Sequence, residues 1–408
     1  MSKSNKTLLI GINLGDAGST GTIMRNSFEY AKENGEYDYL IIVPKSEGKP
    51  NTFEYMGEGY TILHKLDRHL FHRSLHNPDG FFGRRTTKRI INKIKEKCCE
   101  YENIIVHLHN IHMANIDLRI LFKYLSKEHQ IKKVFYTLHD LWSFTGGCYW
   151  FEREKCEKWK TGCKGKCIKN CGKKCFSTAK NLKLKSKYTH LLKDKLTFCP
   201  VSKWCDNLLK QSVLGDIPSV VVEGECNIKG IDYKDTALKE TLGIKESEKV
   251  LLTVDGWKGY ECLDEFVKNI PDGYKFILIS GGNKKYQSEK VIQIGRVNNF
   301  LLPIFFSITD CFVSLTQEDN LPLTIMEAQN CGVPVVGFGQ NGTPEEIIEG
   351  VTGTMVGKDN NVMKLIEAIK FVVEKKPYKK EDIIKNGQKF AKMSSAKRMF
   401  KIYNGLNL

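Results

Sequence analysis

Long apolar runs are missing from this chain. The N-terminal stretch MSKSNKTLLIGINLGDAG holds only Leu8–Ile12, too short for a signal-peptide core, and nowhere do apolar residues fill the roughly 18 positions of a spanning helix. The expectation is a cytoplasmic protein. Tandem repeats and low-complexity tracts are also lacking, which argues against solenoids and disordered scaffolds. No Gly-Lys-Ser/Thr triplet occurs, which excludes a Walker-type phosphate loop. Cysteine is not scarce, but it is uneven: 14 residues, of which six (Cys148, Cys156, Cys163, Cys167, Cys171 and Cys175) crowd one segment. In a reducing compartment disulfides are disfavoured there.

Basic residues are plentiful. With 408 residues, 41% hydrophobic content and a formal charge of +16, the chain can bury two ordinary cores and has an affinity for phosphates, anionic membranes or nucleic acid. Residues 152–187 carry thirteen Lys or Arg against three Glu, a net +10 that concentrates most of the excess. Strand-like runs at 7–13, 37–44, 104–110, 133–140, 197–202 and 219–225 alternate with helical stretches such as 86–101 and 118–127. The pattern restarts at 249–256, 274–281, 291–296, 311–316 and 334–339. Such alternation predicts parallel, doubly wound sheets, hence an α/β protein of two Rossmann-like domains. We expect an N-terminal domain over 1–226 with a Cys-rich insertion at 148–175 and a linker over 227–246. A second domain follows over 247–385, then a C-terminal helical stretch over 386–408 that packs back on the first. Residues 64–85, a mixture of His, Arg and aromatics, read either as a surface for lipid or an anionic acceptor, or as a plain basic loop and helix.

Three stretches carry chemistry. In TQEDNLPLTIMEAQNCGVPVVGFG (316–339), a helix from Pro322 to Asn330 is flanked by two strands, with Gly332 closing it. Glu318 and Asp319 precede the helix and Glu327 lies inside it, at the carboxyl end of a parallel strand where open α/β sheets bind ligands. A carboxylate there can accept two hydrogen bonds from a vicinal diol such as ribose. In NLGDAGSTG (13–21), Gly15, Gly18 and Gly21 free a strand-to-helix turn for a phosphate, or merely pack helix on sheet. In YTLHDLWSFTGGC (136–148), His139 leaves a strand end beside Asp140 and Trp142. A lone histidine in that place is usually structural, and can also meet a sugar hydroxyl or phosphate oxygen.

Taken jointly, these residues resemble retaining glycosyltransferase family 4. DNLPLTIME followed by Ala328 and GVPVVGFGQNGTPEEI fits the family's E-x7-E frame. The likeness continues through GSTG (18–21), VHLHNIHMANIDLRILFKYL (106–125), FYTLHDLWSFTGGC (135–148) and CEKWKTGCKGKC (156–167), which are similar to the branch that builds colanic acid and related surface polysaccharides. The resemblance implies a GT-B fold, two Rossmann-like domains facing a cleft, and sugar transfer from a nucleotide-sugar donor to a lipid-linked or polysaccharide acceptor at the inner membrane face.

It also implies roles. Glu327 holds the donor ribose, while Asp319, one methylene shorter than the usual Glu, contacts the transferred sugar, with Asn320 and Leu321 beside it. Lys258, in DGWKGYE, meets the diphosphate; His139 lies near the sugar; Gly18, Ser19, Thr20 and Gly21 border the phosphates; Gly295 and Val297 lie where the base is held. The family's Arg shortly before Lys258 is absent, and Arg296 is the candidate replacement. No D-x-D triplet occurs, so the resemblance points to metal-independent catalysis, with Lys258 and helix N-termini supplying the positive field. Cys148, Cys156, Cys163 and Cys167 are shared in type with those relatives. Structural zinc and free thiols both remain open for them. Competing readings are a nucleotide-sugar epimerase, an impaired glycosyltransferase-like scaffold, and a zinc-knuckle nucleic-acid binder. The last is disfavoured because only Trp159 and Phe176 interleave the basic stretch, so no nucleic-acid partner is expected.

Overall fold

A computed structural model describes residues 3–16, 18–56, 83–112, 116–152, 155–164, 178–231, 236–255, 260–280 and 285–405. The chain divides into two compact units, Met1–Glu223 with Ser395–Leu408, and Gly224–Ser394.

The first unit holds a six-stranded parallel sheet of order β3-β2-β1-β4-β5-β6. Its strands are β1 (Ser4–Ile12), β2 (Tyr37–Val43), β3 (Thr52–Glu54), β4 (Tyr101–Leu108), β5 (Ile131–Leu138) and β6 (Leu196–Pro200). They are interleaved with α1 (Gly18–Asn34), α2 (Arg84–Glu100), α3 (Leu118–Lys127), α4 (Thr178–Thr189) and α5 (Lys203–Lys210). The strands read as unbroken apolar runs because both faces are covered. Leu8, Ile10 and Ile12 enter one core with Ile90, Leu121 and Phe122. Leu9 enters the other, with Met24 and Phe28 of α1 and Met399, Ile402 and Tyr403 of the C-terminal helix. Gly11 is required at that second face, since a Cβ would stand 2.5 Å from Met24 Sδ and 2.7 Å from Phe28 Cε2.

The second unit repeats the plan with β7 (Lys249–Asp255), β8 (Tyr274–Ser280), β9 (Val291–Ile294), β10 (Cys311–Ser314), β11 (Val335–Phe338) and β12 (Gly353–Val356). Their order is β12-β11-β10-β7-β8-β9, all parallel. The helices are α6 (Thr236–Thr241), α7 (Tyr260–Lys268), α8 (Leu302–Ser307), α9 (Leu323–Asn330), α10 (Thr343–Glu346), α11 (Val362–Lys375) and α12 (Lys380–Gly387), followed by α13 (Ser394–Tyr403), whose Ser395–Tyr403 part belongs to the first unit. Counted within its own unit, each sheet has the strand order 3-2-1-4-5-6, the doubly wound order expected from the alternation. The direction of winding reverses between β1 and β4 in one unit and between β7 and β10 in the other.

Some expected elements differ. The run at 219–225 is not a strand: only Ser219 forms an isolated bridge to Phe198, with Val220 and Val222 donating to Phe198 O and Pro200 O at 2.9 Å. β3 and β12 lie at sheet edges and were too short, at three and four residues, to show a period. The helix expected from Pro322 begins at Leu323, with Pro322 as its N-cap. Residues 57–82, which include most of the 64–85 stretch, and 165–177, which include Cys167, Cys171 and Cys175, lie outside the described residues. No helix among the described residues is long and apolar enough to cross a membrane.

Candidate active site

In the second unit Asp319, Asn320 and Leu321 follow the carboxyl end of β10, Glu327 lies in the helix after it, and residues 295–297 follow β9. The chain leaves β10 through Leu315–Pro322 and enters α9, which ends with Gly332 at φ +74°. Two loops are tied together there. Asn341 Nδ2 donates to Gln317 O at 2.7 Å, Gly342 N to Asp319 O at 3.2 Å, and Gln317 Nε2 to Cys262 Sγ at 3.0 Å. A side chain at Gly342 would overlap the carbonyl of Asn320. This close approach fixes the backbone of Asp319 and leaves its side chain half-buried.

Glu327 sits inside α9 and is 8% exposed. Burial alone pushes its carboxyl up to about 7, because no cation or donor among the described residues compensates the desolvated charge. The helix around it is held from outside. Asn330 Nδ2 donates to Met326 O and Cys226 Sγ, Gln329 Nε2 to Glu346 O at 2.9 Å, and Asn386 Nδ2 to Gln329 Oε1 at 2.6 Å. α12 approaches so closely that a Cβ at Gly387 would stand 2.6 Å from Asn330 N. Glu327 is therefore a buried carboxyl on a rigid element.

A second buried carboxyl, Glu346 at the end of α10, is fully enclosed, and neither of its oxygens has a hydrogen-bond partner among the described residues. Burial first, then the neighbouring Asp319 and Glu345, hold it well above the usual carboxylate range. Its backbone is anchored by Gln329 and Asn386. The sequence offered no sign of it, since one Glu of a Pro-Glu-Glu run reads as a solvated helix start. Gly295 and Arg296 are exposed and Val297 half-buried, directly after the edge strand β9. Asn320 and Leu321 are buried beside Asp319, and Lys258 lies outside the described residues.

In the first unit the corresponding strand ends carry Asn13, the 15–21 turn, His109 and His139. Asn13 is fully buried; its Nδ2 donates to Gly15 O at 2.8 Å and Thr20 Oγ1 at 3.2 Å, and its Oδ1 accepts from Asn110 N. Gly18 adopts φ +73°, and a Cβ at Gly21 would meet Asp16 C at 2.8 Å, so both glycines are structurally required. Gly18 and Ser19 are exposed and Thr20 is half-buried. Asp16 accepts from Ser46 Oγ at 2.6 Å and Glu47 N at 3.1 Å. Burial works to raise its pKa, and these bonds overcome that and lower it.

The histidines form a ladder that the sheet's two-residue period dictates. His107 and His109 share a face of β4 and its extension, Thr137 and His139 share that face of the neighbouring β5, and His107 is in register with Phe135. His107 is held by Tyr403 OH at 2.6 Å and Thr137 Oγ1 at 2.8 Å, while His109 Nδ1 lies 2.9 Å from His139 Nε2. Burial first depresses them all, with a smaller push from His139 on His107, from His107 and His139 on His109, and from His112 on His139: His107 to about 3, His139 to about 4, and His109 well below the ordinary range. All three are neutral at physiological pH. The signal that could have revealed His109 is the His-x-His spacing in IIVHLHN. Beyond the ladder, His112 Nε2 lies 3.5 Å from Asp140 Oδ2, and Asp140 also caps Trp142 N.

Cys148, Cys156 and Cys163 line a small cavity of about 20 Å³ with Phe151 and Trp159, and Cys163 Sγ accepts from Gly146 N. Among the described residues no group of three or more His, Cys, Asp or Glu side chains is arranged to hold a metal ion. These three cysteines therefore do not by themselves fit the tetrahedral thiolate set that structural zinc takes.

This pairing of doubly wound units, with candidate residues at strand carboxyl ends, defines the GT-B fold. A sucrose-phosphate synthase from Thermosynechococcus elongatus shares it at a TM-score of 0.71 and 14% identity, over 98% of this chain and 99% of that one. Through residues 236–390 the chain matches the family described as glycosyl transferases group 1. It is 28% identical over 133 residues to N-acetyl-alpha-D-glucosaminyl L-malate synthase of Bacillus anthracis, covering 29% of this chain and 34% of that protein. It is 25% identical over 293 residues to an Escherichia coli protein named as a putative colanic acid biosynthesis glycosyl transferase, covering 65% of this chain and 67% of that protein. The matched stretch thus spans about a third of the first relative's length.

Proposed function

We propose that the protein is a retaining glycosyltransferase that moves a sugar from a nucleotide-sugar donor to a lipid-linked or polysaccharide acceptor in surface glycan biosynthesis. The observation that carries this reading is Glu327, a buried carboxyl within the segment that matches the group 1 family, eight positions after a half-buried Asp319. Glu327 accepts the two hydroxyls of the donor ribose and Asp319 contacts the sugar. His139 is assigned a contact with the sugar. Lys258 is assigned the diphosphate, with Arg296 as the second cation. In the reaction the anomeric C–O bond to the diphosphate breaks and an acceptor oxygen takes its place on the same face. The acceptor hydroxyl's proton passes to the departing nucleoside diphosphate or to water, and the diphosphate leaves with the electron pair of the broken bond. Neutralising the leaving group is the principal electrostatic demand. The likeness to a colanic acid biosynthesis protein supports a surface-glycan acceptor, and the basic 152–187 stretch supports docking on an anionic membrane face.

A panel of UDP-, GDP- and ADP-sugars tests the reading. One donor at about 100 times its Kd should add roughly 2.7 kcal/mol of stability and undergo slow hydrolysis. If no nucleotide raises the melting temperature and no donor is cleaved, the proposal is wrong.

A further inference from the structure

We infer that His109 sets the proton on His139: His109 donates from Nδ1 to His139 Nε2, which leaves His139 protonated on Nδ1 and therefore a hydrogen-bond donor toward a bound ligand. The identity of that ligand as a nucleotide sugar rests on the function proposed above; the proton's position does not.

Two neutral imidazoles 2.9 Å apart can share that contact in two ways. If His139 donated, His109 would carry its own proton on Nε2, and that atom is sealed from solvent with no hydrogen-bond partner among the described residues. Orphaned N–H groups are rare in protein interiors because nothing replaces their lost hydration. If His109 donates, its Nε2 is a bare ring nitrogen and no N–H is stranded. His109 is anchored through its backbone and flanked by rings. Its backbone N–H donates to Ile12 O and its carbonyl accepts from Ile111 N, both at 3.0 Å. The His107 ring lies 4.3 Å to one side and the His139 ring is stacked at 5.2 Å. His107 has both nitrogens engaged, by Tyr403 and Thr137, so it offers His109 nothing.

His139 differs. It is half-buried, and its remaining nitrogen, Nδ1, has no hydrogen-bond partner among the described residues. With the proton placed there, His139 donates to a sugar hydroxyl or phosphate oxygen and does not serve as a base through that atom. His109 is then a positioning residue, acting through His139 without touching the ligand.

Histidine-selective 15N labelling of the ligand-free, full-length protein tests this directly, because long-range 1H–15N correlations separate protonated from bare ring nitrogens. Spectra of His139→Asn and His109→Asn assign the two rings. We expect protonated Nδ1 and bare Nε2 on His139; a proton on its Nε2 overturns the inference. With a donor in hand, His109→Phe should lower kcat about tenfold with KM little changed, and His109→Asn, whose amide can donate from near the Nδ1 position, should recover most of it. Wild-type turnover in His109→Phe contradicts the inference. If that variant does not fold, a folded His109→Asn with kcat as low as His139→Phe contradicts it equally. Absence of turnover on every nucleotide sugar would sink the donor reading while the ring spectra still decide the proton's place.

Discussion

In the function proposed here Glu327 and Asp319 divide their labour by position, the first buried and the second half-buried. Glu327 is enclosed in α9 and its carboxyl is raised by burial to about 7 from an ordinary value of 4.5. The unfolded chain loses that proton near the ordinary value, the folded chain near 7. Between these points the folded state holds one more proton, so stability falls as pH rises through the window. Glu327→Gln should remove that fall, gaining up to roughly 3 kcal/mol over the wild type between about pH 5 and pH 8. Thermal denaturation at the two ends of the range checks it, and parallel pH profiles for the two proteins would contradict it. Turnover separates the residues: Glu327→Gln should mainly weaken donor binding, while Asp319→Asn should mainly lower kcat, each by about tenfold or more. The spacing of these two acids was legible because an eight-position step across a strand-loop-helix is local in sequence. Glu346 and His109 were not, since burial by α12 and stacking on β5 are made by residues distant in the chain.

At the scale of elements, long buried strands announced themselves and short edge ones did not. β1, β4, β5 and β8 are covered on both faces and read as continuous apolar runs. The helix 118–127 was expected with the limits it has, because Asp117 caps it by accepting from Arg119 N at 3.0 Å. The run 219–225 has the composition of a strand but passes β6 with only two backbone bonds among the described residues, from Val220 N and Val222 N. Composition cannot tell a paired run from a passing one. Two elements carry tests. In α13, Tyr403→Phe leaves the buried His107 Nδ1 without its partner and should cost about 1–3 kcal/mol in chemical denaturation; an unchanged midpoint would show that the contact contributes nothing. In the turn after β11, Gly342→Ala forces the backbone off Asn320 O and should weaken donor binding together with stability, whereas full activity would mean that the two loops need not touch.

Over the whole molecule, the restart of the strand-helix alternation after residue 246 made two doubly wound sheets predictable, and both have the same strand order. Charge is the other property at this scale. In the first unit Lys164, Lys180 and Lys183 surround an open depression of about 520 Å³ with Leu182 and Val213, part of the +10 stretch. Vesicles rich in anionic lipid should retain the protein at low salt and release it as ionic strength rises, and neutral vesicles should not retain it; equal retention on both would rule out charge as the cause. The central claim, however, is that the second unit holds a nucleotide-sugar donor through Glu327. Titration calorimetry of the preferred donor into wild type and Glu327→Gln tests it most directly. The account predicts a wild-type affinity that tightens as pH rises through about 7, and a variant that binds about tenfold or more weakly with that pH dependence gone. Identical affinities and pH profiles in the two proteins would contradict it.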